Sequence, residues 1–304
     1  MKKGFESIFE CTHFDWMHPK YQNNKVLLNT NLLEVFRLTM PAIVFMHIQD
    51  DGIVDLHVVQ FMKQYAIVIN WTGDVRHPIP EHYIKIGKEI HLTLFTNMND
   101  VISIRELGVD SDFLQVGFDS DYFNPLPVPY GKYPEILFMG SNYNCFPLSK
   151  LRLEMVKRLR AEFGGKVGIY GEGWSVSKNI DYANGIISSY DEEANAYRCC
   201  KIAINLSHFE YDRYTSDRLF RILGSGTFCL THHYPKIEKD FTDGKDLVIW
   251  SDLDDLIKKI KYYLIFAGQR HEIAVSGCYK AMTNFTWHHF ASNLLTIIKS
   301  RQWI

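Results

Sequence analysis

The stretch from Tyr197 to Thr231, YRCCKIAINLSHFEYDRYTSDRLFRILGSGTFCLT, constrains the fold more than any other part of the chain. Its two short apolar runs, Ile202 to Leu206 and Thr227 to Leu230, are too brief for helices and are rich in Ile, Phe and Leu, as buried parallel strands are. Between them, Thr215, Ser216 and Asp217 are residue types whose side chains cap free backbone N–H groups, and Leu219, Phe220, Ile222 and Leu223 follow at helical spacing. Gly224 and Gly226 end that helix. Strand, polar loop, capped helix and strand make a βαβ unit, whose ligands lie beyond the carboxyl ends of its strands. A helix N-terminus there attracts anions, and Arg213 and Arg218 flank it, so a phosphate or diphosphate suits the position. The same residues equally suit an ordinary surface cap with solvated arginines.

The same alternation runs through most of the 304 residues. Strands are expected at Ala42–Ile48, Ala66–Ile69, His91–Phe95 and Phe113–Val116, with helices at Ile53–Met62, Glu81–Ile86 and Asn97–Leu107 between them. Ahead of these, Phe5–Phe9 reads as a short strand and Leu32–Leu38 as a helix that stops before Pro41. The rhythm breaks at Asp119–Pro134, where Pro125, Pro127, Pro129 and Pro134 mark an interdomain linker. It resumes with strand Glu135–Met139, helix Leu151–Phe163, strand Val167–Tyr170 and helix Glu192–Arg198. Beyond the central unit come strand Leu247–Trp250 and helices Leu253–Phe266, Glu272–Thr283 and Trp287–Lys299. A chain this long exceeds one ordinary core, so two parallel α/β halves are expected.

Composition excludes several classes. Hydrophobic residues at 46%, charged residues at 22% and a net charge of −2 describe a globular protein with no general attraction to nucleic acid or anionic lipid. The N-terminus has no continuous apolar core of the secretory kind, and no run approaches the ~20 residues of a membrane span. The cysteines at 11, 145, 199, 200, 229 and 278 form no C-x-x-C pair or regular framework, which fits free thiols in a reducing cytoplasm.

Neither half carries G-x-G-x-x-G after its first strand, which argues against a dinucleotide. The segments EILFMGSNY (135–143), GIYGEGW (168–174), CKIAINLS (200–207), SDRLFRILGSGTFCLT (216–231), DLDDLIKKIKYYL (252–264) and FTWHHF (285–290) occur in an order that resembles group-1 glycosyltransferases of the spore-maturation CgeB-like branch. VINWTGDVR (68–76) and LQVGFDSDYFNP (114–125) extend the likeness, which covers roughly residues 42 to 300. The resemblance implies the GT-B fold, two Rossmann-like domains facing across a cleft, with the N-terminal one shortened here. An acceptor domain at 1–125, a nucleotide-sugar domain at 134–286 and a closing helix at 287–304 that crosses back to the first are expected.

What the resemblance implies about the site agrees with the residues. The donor, a UDP- or GDP-sugar with no further cofactor, would rest its diphosphate on the helix N-terminus at Thr215, Ser216 and Asp217, with Arg218 and Arg213 balancing charge. Gly140 and Ser141 would let the donor approach the backbone after the first strand, and Tyr170, Gly171 and Trp174 would line the base pocket. Glycines also make turns, and Trp174 also reads as core. Retaining relatives carry two glutamates in this region, the second bonding the donor ribose, yet this chain has Arg213 and Arg221 at those places. Arginine accepts no hydrogen bond, so Asp217 or Glu210 would have to substitute, or Arg221 would face a phosphate or the edge of the core.

In the first half, Asp74 follows a strand within NWTGDVRHP, where a carboxylate would take a proton from an acceptor hydroxyl or orient the donor sugar, with Arg76 and His77 near enough to tune it. Gly-Asp is also good turn chemistry. Asp110-Ser-Asp112 and Asp119-Ser-Asp121 look like a D-x-D metal motif but sit where turns are expected, and the pairs His232-His233 and His288-His289 lack further ligands. No metal is expected. The resulting expectation is a cytoplasmic, metal-independent, retaining glycosyltransferase acting on a glycan, a protein or a modified nucleobase. A nucleotide-sugar epimerase of the same fold and a non-catalytic sugar-binding or surface-assembly protein stand as alternatives.

Overall fold

The computed structural model describes residues 1–127, 133–177 and 180–304. They form two compact units: Lys2–Gln115 together with Phe290–Ile304, and Val116–His289 together with Met1. None of the described helices is long and apolar enough to cross a membrane.

The first unit begins with helix α1 (Lys2–Glu6) and helix α2 (Lys25–Thr39). Strands β1 (Ile43–Met46), β2 (Ile67–Thr72), β3 (Leu92–Phe95) and β4 (Ser111–Phe113) follow, connected by α3 (Leu56–Lys63), α4 (Glu81–Glu89) and α5 (Met98–Glu106). The sheet is parallel in the order β1-β2-β3-β4, with Ile43 opposite Ile67 and Ile69 opposite Leu92. Val58, Val59 and Met62 of α3 pack with Val68 of β2, fully buried, as apolar residues on the facing surfaces of a covered sheet must be. Asn97 caps α5 by accepting the Asp100 N–H at 2.8 Å.

Two expectations in this unit need correction. Phe5 lies on a helix, not a strand, and its ring packs against Phe45 at 4.8 Å. The last strand is Ser111–Phe113, earlier than the apolar run Phe113–Val116. Ser111 tolerates burial because its hydroxyl donates to the Val101 carbonyl at 2.9 Å, while Arg105 binds its carbonyl. Asp110 and Asp112 of the first D-x-D sequence both engage Arg301.

The second unit contains β5 (Ile136–Met139), α6 (Ser149–Phe163), β6 (Val167–Tyr170), the short antiparallel pair β7 (Ser175–Ser177) and β8 (Ile180–Asp181), and α7 (Tyr190–Cys199). It continues with β9 (Ile202–Asn205), α8 (Asp217–Gly224), β10 (Cys229–His232), β11 (Val248–Trp250), α9 (Leu253–Ile265) and α10 (Ala267–Asn284). The closing helix α11 (Trp287–Ser300) starts here and continues into the first unit. The parallel sheet runs β11-β10-β9-β5-β6, so the strand order reverses between β5 and β9. Crevices outside the carboxyl ends of strands at such a switch point are where open α/β sheets bind ligands.

The start of the expected proline-rich linker is built into this unit. Asp119 accepts the Asp121 N–H at 3.0 Å, and Arg198 of α7 holds the carbonyls of Tyr122 and Asn124. Pro129 and the rest of 128–132 lie outside the described residues. Within the first unit, Phe290 of α11 is 2% exposed and packs against Trp71 at 5.0 Å, Phe5 at 5.8 Å and Phe45 at 6.0 Å.

Candidate functional site

Three segments converge at the switch point: the loop after β5, the loop after β9 and the start of α8. Arg152, on α6, ties the first two together. One Nη donates to the Leu206 carbonyl and the other to the Ser141 carbonyl at 2.7 Å. Its side chain is fully buried, and its Nε has no hydrogen-bond partner. Arg218, at the start of α8, donates to the Leu206 carbonyl at 3.2 Å and to Asn205 Oδ1 at 3.4 Å. Both guanidinium groups lie over the Phe138 ring, 5.0 Å and 5.5 Å from its centroid.

Carboxylates that would neutralise this pair are engaged elsewhere. Asp240 takes Arg213 through two bonds, of 2.6 Å and 3.1 Å, and Arg221 is paired with Glu193 at 2.9 Å and with Asp217. Among the described residues, no carboxylate forms an ion pair with Arg152 or Arg218. Burial and then the neighbouring Arg218 push Arg152 well below its ordinary value. The same field reaches His208, which burial, Arg152 and Arg218 lower to about 3, so its ring is neutral. Two positive groups with only carbonyl dipoles as partners make a pocket for an anion.

The glycines confirm how tightly the backbone approaches these arginines. A Cβ on Gly140, whose φ is +153°, would stand 2.6 Å from an Arg218 Nη and 3.0 Å from an Arg152 Nη. A Cβ on Gly171 would meet the Gly140 carbonyl at 2.6 Å. Glycine at 140 therefore leaves room for the guanidinium pair, and glycine at 171 lets the loops after β5 and β6 touch.

The helix cap differs from expectation. Ser216 is the N-cap residue of α8, but its side chain makes no capping bond, and its buried Oγ has no partner. Thr215 Oγ1 accepts from Asn205, Asp217 turns to Arg221, and Ser207 Oγ accepts the Ser216 N–H at 3.3 Å. Thr215 and Asp217 are thus occupied sideways, Ser216 leaves its hydroxyl unused, and the amino end of α8 opens beside Arg218 without a side-chain cap.

The structure brings Gly140, Ser141, Thr215, Ser216 and Arg218 to this crevice. Trp174 is not available to a base: it is 1% exposed, packs on Phe138 at 5.9 Å and donates its indole N–H to the Gly140 carbonyl at 2.9 Å. It holds the glycine in place from the core side. Tyr170 accepts the Gly140 N–H on its backbone carbonyl, and its ring lies along the sheet beside Gly168. Arg213 and Arg221 serve ion pairs, and Asp217 and Glu193 hold Arg221 above its ordinary value although burial opposes the charge.

In the first unit, Asp74 and His77 follow β2 on exposed loop positions. Asp74 exchanges two hydrogen bonds with Gln49, at 3.0 Å and 3.1 Å. Asp100, buried on the first turn of α5, has its carboxyl raised by burial, an effect opposed by Asn97 and His77. His47, beyond β1, stacks on Trp71 at 4.9 Å, is lowered by burial against the pull of Asp74, and has an Nε2 without a hydrogen-bond partner. Among the described residues, no group of three or more His, Cys, Asp or Glu side chains is arranged to hold a metal ion.

Arg152 and His208 escape the sequence reading. Arg152 had a detectable signature: it occupies the same helical face as Met155, Val156 and Leu159, all fully buried, so a charged residue stands at a core position. His208 carries no such mark.

Residues 152–296 match the family described as Glycosyl transferase-like. That match covers just under half of the chain, and the parallel α/β architecture of both units is the GT-B fold of solved glycosyltransferase structures. No curated protein sequence matches the chain. Among solved structures, a glycosyltransferase from Rickettsia africae is similar over 95% of this chain and 83% of its own, with a TM-score of 0.63 and 14% identity. Anabaena Alr3699/HepE in complex with UDP and glucose is similar over 90% of this chain and 82% of its own (TM-score 0.60, 9% identity). Sucrose-phosphate synthase from Thermosynechococcus elongatus is similar over 91% and 79% (TM-score 0.60, 11% identity).

Proposed function

We propose that the crevice at the switch point binds the diphosphate of a UDP- or GDP-sugar and that the protein, an enzyme of the CgeB-like branch, transfers the sugar to a hydroxyl acceptor in the cytoplasm. The observation that carries this reading is the guanidinium pair of Arg152 and Arg218, which converges on Gly140 without a carboxylate partner among the described residues. The similar Anabaena protein was crystallised with UDP and glucose, which supports a nucleotide donor.

In this reading the donor's diphosphate lies between the open end of α8 and the two arginines. When the glycosidic bond to the diphosphate breaks, negative charge grows on the leaving oxygen, and guanidinium groups already fixed by carbonyls and by Phe138 stabilise it without reorganising. Two cations and a helix end supply the charge a divalent ion would otherwise bring, which makes the reaction metal-independent. Ser216 Oγ, without a partner at the start of α8, turns to the phosphate oxygens. Asp74, oriented by Gln49, and His77 act on the acceptor hydroxyl in the 1–125 part, while 134–286 holds the donor. Retention at the anomeric carbon belongs to the same proposal.

Thermal shift with a panel of nucleotide-sugars tests the reading. A donor at ~100 times its Kd stabilises the folded state by about 2.7 kcal/mol, a readily measured rise in Tm. If no UDP- or GDP-sugar raises the Tm at millimolar concentration, the donor assignment fails.

A further inference from the structure

Of the two arginines at the switch point, one is enclosed and the other is open. Arg152 is fully buried, and both of its Nη atoms are engaged, one by the Leu206 carbonyl and the other by the Ser141 carbonyl at 2.7 Å. Arg218 is partly exposed and makes both of its hydrogen bonds through a single nitrogen, Nη1, to the Leu206 carbonyl at 3.2 Å and to Asn205 Oδ1 at 3.4 Å. Its Nη2 makes no hydrogen bond among the described residues and lies beside Gly140, where an added Cβ would stand 2.6 Å away. Arg218 therefore has N–H groups to offer a ligand. Arg152 has none that reach the surface.

A fully buried guanidinium without a carboxylate is a costly way to hold two carbonyls, so its shape needs a reason. The guanidinium is planar and presents its donors as a fixed fork that spans two acceptors at once, whereas a lysine ammonium is a compact point charge. Here the two acceptors belong to different loops, Ser141 after β5 and Leu206 after β9, and the Leu206 carbonyl is the one that Arg218 also uses. Asn205, the other partner of Arg218, is fixed independently: its amide donates to Thr215 at 3.3 Å and to Thr231 at 2.9 Å. Both guanidinium groups share the Phe138 ring, at 5.0 Å and 5.5 Å, so the like charge of Arg152 opposes any inward shift of Arg218 along that ring.

We propose that Arg152 is a positioning residue: it makes no contact with the bound phosphate, and by pinning the Leu206 and Ser141 carbonyls it aims the Arg218 guanidinium at the ligand. This rests on the reading of the crevice as the diphosphate site, and it divides the work there. Arg218 makes the contact, and Arg152 sets its direction.

Calorimetry with inorganic pyrophosphate and with UDP-glucose on the parent, Arg152→Lys, Arg218→Met and the double variant tests it as a cycle. Arg152→Lys is expected to raise the Kd about tenfold in the parent and less than about twofold once residue 218 is methionine, because the group it aims is then gone. Equal losses in the two backgrounds, or no loss in either, overturn the proposal. Nitrogen NMR relaxation of the Arg218 Nε–H, identified by its disappearance in Arg218→Met, reads the same aim without any ligand. Its order is expected to fall in Arg152→Lys, and unchanged order overturns the proposal. Arg152→Gln is the second variant, and failure of both to fold makes Arg152 a residue of the fold alone, which also overturns it. Pyrophosphate binding without binding of any nucleotide-sugar strikes the donor assignment instead and leaves the cycle and the relaxation measurement to decide the role of Arg152.

Discussion

Replacing Arg218 with methionine separates the cost of the site from its use. The two guanidinium carbons lie 5.0 Å and 5.5 Å from one ring centroid, so their separation cannot exceed the two distances laid end to end. At an effective dielectric constant of ~20, two unit charges at that upper limit repel by roughly 1.5 kcal/mol and by more at any shorter separation, and solvent around the partly exposed Arg218 screens part of this. Against that stand a cation–π contact of about 0.5–1 kcal/mol and two long hydrogen bonds, at 3.2 Å and 3.4 Å, worth at most ~1 kcal/mol together. The opposing effects nearly cancel, so Arg218→Met should leave the Tm of the free protein within a few degrees of the parent. Donor binding has no such compensation. Losing a charge-assisted bond to phosphate should cost ~1.5–3 kcal/mol, a Kd about 10-fold to 100-fold higher by calorimetry. A variant that unfolds many degrees lower while its donor affinity is unchanged would refute this account and make Arg218 a structural residue.

Sugar transfer is expected to persist in excess EDTA, and complete loss restored by manganese would show that the arginines do not carry the phosphate charge. Because His208 is neutral above about 3, UDP-sugar affinity should stay flat from pH 5 to 8, whereas UDP, whose terminal phosphate has a second pKa near ~6, should bind more tightly as pH rises through that value. The depressed value also has a stability consequence: the unfolded chain binds the His208 proton below its ordinary 6.5, so stability should fall as pH drops from there toward about 3, and His208→Gln should flatten that slope in pH-dependent melts. Phe290→Ala removes a ring that touches three others at 2% exposure, and should destabilise the protein by about 3–5 kcal/mol in denaturant titrations although it lies far along the chain from its partners.

Element types were legible wherever the apolar period was strong. Val167–Tyr170 reads as a strand and is one, and Leu253 begins a helix because Asp252 caps it by accepting the Asp255 N–H at 2.9 Å. Misreadings arose where tertiary contacts outweigh the local pattern. Phe5 and Phe9 mimic a strand, yet Phe5 finds its partners in Phe45 and Phe290, which no local window contains. Ser111 enters a strand because α5 satisfies its hydroxyl. The site behaves in the same way. Gly140 and Arg218 announce themselves through a turn glycine and a basic helix start, but the claim of Trp174 on a base was indistinguishable from core packing until Phe138 and the Gly140 carbonyl were seen around it. Arg152 required knowing that the loops after β5 and β9 end side by side, a consequence of sheet order and not of sequence proximity.

The distribution of carboxylates explains why this crevice, and not its surroundings, is poised for an anion. Arg213 and Arg221 are each neutralised: Asp240 reaches Arg213, and Glu193 on α7 and Asp217 at the start of α8 reach Arg221. Those pairs are partly buried, and burial raises the Glu193 carboxyl even against its partner, so they act as braces around α8. Having spent the local acids on Arg213 and Arg221, the fold leaves Arg152 and Arg218 with carbonyl oxygens alone. A carbonyl dipole orients a guanidinium but does not cancel its charge, so the fully buried Arg152 and the partly exposed Arg218 still repel one another. The room left by the missing side chain at Gly140 and the uncapped start of α8 both border that pair, which is where an anion would offset the repulsion.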